Sequence, residues 1–68
     1  MIIFAAYSNR VAVGYSRNLR KAKDIAHKKD ADEILQLRIP DVKNELHIDI
    51  VRRWKRKRFS TFFIPVPV

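Results

Sequence analysis

Apolar residues run along this chain in two rhythms. Ile2 to Tyr7 and Val11 to Tyr15 are runs rich in β-branched, aromatic and small residues, separated by Ser8-Asn9-Arg10. Two such runs around a short polar stretch predict a β-hairpin. Asn9 tolerates the positive φ that a tight turn requires. Gly14, the only glycine, sits inside the second run and marks a bulge or a close backbone approach.

From Ser16 the rhythm changes. Leu19, Ala22, Ile25 and Ala26 share one face at helical spacing, while Arg17, Arg20, Lys21 and Lys28 point away, with Asp24 among them. This predicts a helix capped by Ser16 or Asn18 and running to about Lys29. Lys28 and Lys29 in its last turn suit the helix dipole. Asp30 to Asp32 form a polar break. Residues 34–39, ILQLRI, then read as a strand with Leu35, Leu37 and Ile39 on one face, ended by Pro40.

Residues 41–57 carry both rhythms. Leu46, Ile48 and Ile50 alternate as in a strand, whereas Val42, Leu46, Ile50 and Trp54 recur every fourth residue as in a helix. Charge order decides for the helix. Asp41, Glu45 and Asp49 come early and the cations from Arg52 onward come late, an order the helix dipole favours. Asp49 also reaches Arg52 and Arg53 one turn on. The tail FSTFFIPVPV reads as a strand from Phe59 to Val66. Pro65 and Pro67 would place both missing N–H groups on one side, as an outer edge allows. The order is β-β-α-β-α-β over a single small domain, residues 1–68. The expectation is an α+β fold with helices on one face of a mostly antiparallel sheet.

Composition narrows the function classes. A chain of 68 residues without cysteine has no disulfide and no thiolate metal site, so apolar packing or a partner subunit must hold it. A homodimer sharing its core is compatible with that size. The start of the chain lacks the basic region of a secretory signal, and no apolar run approaches the roughly 20 residues of a membrane span. A cytoplasmic protein is expected.

The residues for catalysis are absent as a set. His27 and His47 have no partner at metal-ligand spacing, one glycine rules out a glycine-rich phosphate loop, and Ser8, Ser16 and Ser60 have no adjacent base. The expectation is a non-enzyme with no cofactor and no metal.

Charge changes the picture most. Fifteen Lys and Arg against seven acids give a net charge of +8, a field that attracts polyanions. The cations form two groups: Arg17, Arg20, Lys21 and Lys28 (with Lys23 beside them) on the first helix, and Arg52, Arg53, Lys55, Arg56, Lys57 and Arg58 around Trp54. Cations spaced along a surface supply the sequence-independent part of nucleic-acid affinity. Trp54 is the candidate for stacking on an unpaired base, although its place in the apolar stripe favours burial. Tyr7, Tyr15, Phe59 and Phe62 are further stacking candidates if they face outward. Composition alone also likens residues 52–58 to a nuclear localisation signal. The chain lacks the GXXG loop, the aromatic RNP signature, zinc-finger spacing and a helix-turn-helix pattern, and resembles none of those modules.

The sequence therefore predicts a basic nucleic-acid-binding protein that contacts DNA or RNA phosphates with little base readout. The alternative is a small inhibitor or regulator docking its basic surface on an acidic protein face. Attachment to anionic membrane ranks below both, because the apolar helix face is needed for the core.

Overall fold

In a computed structural model, residues 1–40, 48–56 and 62–68 are described. They build five strands and one helix: β1 (Ile2–Ser8), β2 (Val11–Ser16), α1 (Leu19–Lys28), β3 (Glu33–Arg38), β4 (Asp49–Arg56) and β5 (Phe63–Val66). The strands form one sheet in the order β2-β1-β3-β4-β5, and all four pairings are antiparallel.

The opening hairpin turns on two residues. Asn9 and Arg10 both take positive φ, 54° and 68°, and Ser8 pairs with Val11 across them. Two consecutive left-handed residues match the right-handed twist of the flanking strands. Asn9 suits that conformation; Arg10, with a Cβ and no local compensation, is held in it by the strands. The register shifts by one residue between Ala6 and Tyr7, leaving Val13 unopposed in β2. Gly14 follows directly and faces Ala6.

Helix α1 is closed at both ends by local chemistry. The Asn18 side chain accepts from the backbone N–H of Arg20 (2.8 Å) and Lys21 (3.4 Å), satisfying donors that the first turn leaves free. At the other end Asp30 takes φ 54°. The N–H of Ala31 reaches the carbonyl of Ala26 at 2.8 Å and that of Asp30 reaches His27 at 3.4 Å. This is a Schellman closure with aspartate where glycine is usual, and the paired Ala26 and Ala31 are both fully buried.

The helix lies on one face of the sheet, against β1, β2 and β3. Small residues make that approach possible. Ala6, Ala22, Ala26 and Ala31 are all solvent-free in one cluster with Ile34, Trp54 and Phe63. A methyl group at Gly14 would sit 2.5 Å from Cγ2 of Ile25, so glycine is required by the packed helix.

The second helix expected over residues 41–57 is corrected by the structure. Residues 49–56 are strand β4, paired with β3 and β5; residues 41–47 lie outside the described set. The charge order that suits a helix dipole is worth only about 0.3–1 kcal/mol per charge. A central strand bonded on both sides, with Trp54 inserted in the core, outweighs it. The final strand starts at Phe63; residues 59–61 of the expected strand are outside the described set. β5 is the sheet's outer strand, which Pro65 within it allows; Pro67 follows the strand's end.

Gly14→Ala is expected to destabilise the fold by about 1–3 kcal/mol, the usual range for overpacking. The cost should shrink in an Ile25→Ala background, because the clashing Cγ2 is gone. Denaturant unfolding of the four-member cycle reads this, and equal costs in both backgrounds would refute the packing account. Arg10→Gly, by contrast, should stabilise by about 1 kcal/mol through relief of the left-handed backbone. A lower melting temperature for Arg10→Gly would refute that reading.

Candidate nucleic-acid interface

Strand geometry redistributes the basic run. In a helix its cations would surround the axis; in β4 they alternate between the two faces of the sheet. Trp54 lies opposite Ile34, and Arg52 opposite Gln36, so Arg52, Trp54 and Arg56 face the side that carries α1. Arg53 lies opposite Leu35, and Lys55 opposite Glu33, so both face the other side. Lys57 and Arg58 lie outside the described residues.

Trp54 is a core residue. It is 7% exposed, and its ring sits 6.0 Å from that of Phe4 at a tilted 49°. Such a pair adds about 0.5–1.5 kcal/mol beyond burial. Next to it Phe63 is buried edge-on against His27 at 5.8 Å, which closes the gap between the helix and β5. Base stacking on Trp54 would require this core to open, so the stacking role considered for it is not supported by its position.

Two of the run's cations are engaged within the fold. Arg56 donates from Nη2 to Oδ1 of Asp30 at 2.7 Å and ties β4 to the turn after α1. Arg53 Nε lies 2.9 Å from Oε2 of Glu33, yet that N–H is out of solvent and forms no hydrogen bond, so the contact is an ion pair with poor alignment. Both pairs are partly exposed and contribute on the order of 0.2–1 kcal/mol each. Arg52 and Lys55 are exposed, and neither has an ion pair among the described residues.

The first basic group falls where expected. Arg17, Arg20, Lys21 and Lys28 are exposed, on or just before the outer arc of α1, with Asp24 the one acid on that arc. Arg17 donates to the thioether of Met1 at 3.3 Å. Lys23, four residues before His27, is half-buried on the flank turned toward Phe63. The structure thus brings Arg20, Lys21, Lys28, Arg52 and Arg56 to the helix-bearing side, sets Arg53 and Lys55 apart on the opposite side, and places Arg17 at the β2 end, where it lines a recess with Met1, Ile3 and Tyr15.

That opposite face holds residues that the charge pattern did not single out. Cross-strand register places Tyr15, Ala5, Leu35, Arg53 and Val66 in one row across all five strands. The next row is Ala12, Tyr7, Glu33, Lys55 and Ile64. Among the described residues no helix covers this face, and Tyr15 is 72% exposed on it. A recess of about 370 Å³ at the Tyr7 end is lined by Asn9, Arg10, Asp32, Glu33, Arg53 and Lys55. The expectation that Tyr7 and Tyr15 stack if they face outward now has its geometric condition met for Tyr15. Tyr7 is half-buried, Phe62 is exposed beyond the sheet, and Phe59 is outside the described set.

Among the described residues no helix is long and apolar enough to cross a membrane, and no three His, Asp or Glu side chains gather as a metal site. No family model, no curated protein and no solved structure matches this chain.

Trp54 is the only tryptophan, so its fluorescence reports on this core alone. Emission should be blue-shifted, resistant to iodide and indifferent to added nucleic acid. Strong quenching by a bound single strand at unchanged fold would return Trp54 to the interface.

Proposed function

We propose that this is a small nucleic-acid-binding protein that holds phosphates through exposed lysines and arginines, with little base-specific readout. One observation carries the reading. Arg17, Arg20, Lys21, Lys28, Arg52 and Lys55 are all exposed, and no acid among the described residues forms an ion pair with any of them. Uncompensated cations on a body with net charge +8 repel each other and destabilise the compact state. A polyanion relieves that repulsion and releases counterions as it binds.

Arg53 and Arg56 have a different part. Their partners Glu33 and Asp30 belong to the fold, so they contribute less to ligand than their place in the run suggests.

A second reading has support of its own. Ile50 and Ile64 are exposed apolar residues beside the cations of β4, a mixture that also suits the acidic face of a larger protein, with this chain as inhibitor or regulator.

The test is fluorescence anisotropy with a labelled duplex, a single strand and an RNA hairpin across a salt series. Replacing Arg17, Arg20, Lys21 and Lys28 together with Gln should weaken binding at least tenfold and flatten the dependence of log K on log salt. The slope should fall by about 0.7–0.9 for each phosphate that the variant no longer neutralises. Unchanged affinity in that variant would remove the helix from the interface. Binding of polyglutamate as tight as that of nucleic acid would favour the protein-docking reading.

A further inference from the structure

We infer that the sheet face away from α1 is a platform for single-stranded nucleic acid, with an unpaired base stacked on Tyr15 and a phosphate held by Arg10 and Lys55 at the recess they share with the Arg53–Glu33 pair. The inference rests on the nucleic-acid reading above and names the form of ligand and the face it uses.

Three observations converge on this face. Tyr15 is an aromatic ring 72% exposed, standing on a β-strand whose backbone is fixed by pairing with β1. Every base has a π-face, so an exposed aromatic on a rigid strand accepts any unpaired base, whereas the bases of a duplex are already stacked and unavailable to it. Arg53 lies in Tyr15's own row and Lys55 in the next, so cations stand three strand spacings, about 14 Å, from the ring. The recess there carries Arg10, Arg53 and Lys55 against Asp32 and Glu33, a net positive site even with both acids ionised. Glu33 is already engaged by Arg53.

Charge decides the occupant. A second copy would bring a second set of like charges to a face that holds Arg53 and Lys55, and like charges brought together oppose docking. A polyanion with exposed aromatic bases complements both ends of the face: apolar contact at Tyr15, phosphate at the recess. Arg20, Lys21 and Lys28 of α1 and Arg52, on the other side of the sheet, then hold phosphates beyond the platform without touching the stacked base.

Two variants test the platform without endangering the fold. Tyr15 is exposed and outside the core cluster, so Tyr15→Ala leaves the packing intact. Arg10→Gly removes a recess cation while relieving a strained backbone, so weaker binding cannot be ascribed to unfolding. The probes are a labelled oligothymidine of twelve nucleotides and a duplex of equal length, followed by anisotropy, with circular dichroism of each variant.

Tyr15→Ala should weaken oligothymidine about 5- to 100-fold, as removal of one stacking platform does, with its salt slope unchanged and duplex affinity untouched. Tyr15→Phe should retain binding. Arg10→Gly should weaken binding several-fold with a shallower slope. If Tyr15→Ala binds the single strand like the parent, while the Gln variant of α1 loses it, the platform is overturned and the nucleic-acid reading stands. If the parent binds neither probe at low salt, both fail. A dimer in sedimentation that Tyr15→Ala dissolves would assign the face to a second copy and overturn the inference.

Discussion

The seat of α1 on the sheet is the constraint from which the rest follows. Ala6 and Gly14 on the strands, and Ala22 and Ala26 on the helix, leave so little between backbones that even one added methyl meets Ile25. A helix so seated packs mainly on β2, β1 and β3, and reaches β5 through His27. The remaining width of the sheet must be closed by side chains alone. Trp54 and Phe63, the large aromatics of β4 and β5, do this, meeting Phe4 and His27. A small domain has few ways to bury apolar surface, and here alanines set the distance while aromatics fill what that distance leaves over.

That arrangement commits Trp54 to the core and thereby determines the fate of the cations beside it. Strand side chains alternate, so a buried Trp54 forces Arg53 and Lys55 to the opposite face, and keeps Arg52 and Arg56 on the helix side at its margins. A shift of one residue in this register would bury cations and expose the tryptophan, at a cost no surface interaction could offset. The described part of the basic run is therefore divided between two faces, back to back. Two of its members also serve the architecture, Arg56 through Asp30 and Arg53 through Glu33.

The two faces of the sheet consequently differ in chemistry. The helix side presents the exposed cations of α1 and Arg52. The other side presents Tyr15, an apolar middle around Leu35, and cations toward β4. Asp30 serves the fold twice: it closes the helix in a left-handed conformation and anchors Arg56 with its side chain.

Local pattern determined a large part of this protein. The hairpin around Asn9, the helix from Leu19 with its Asn18 cap, the strand of Leu35 and Leu37, and the outer place of the proline-bearing β5 were all legible, because each rests on neighbours in sequence. So was the close approach at Gly14 and the basic outer arc of α1. Residues 49–56 were not. There the fourfold recurrence of apolar residues and the order of charges favoured a helix, and only pairing with β3 and β5 overrode it. Helix spacing and dipole are local energies of a fraction of a kcal/mol to about one, whereas strand pairing and the burial of Trp54 depend on residues far away in sequence. For the same reason sequence could name the cations and the tyrosines but not sort them. Which side of a sheet a residue occupies is decided by where the helix comes to rest, and that is a property of the folded chain.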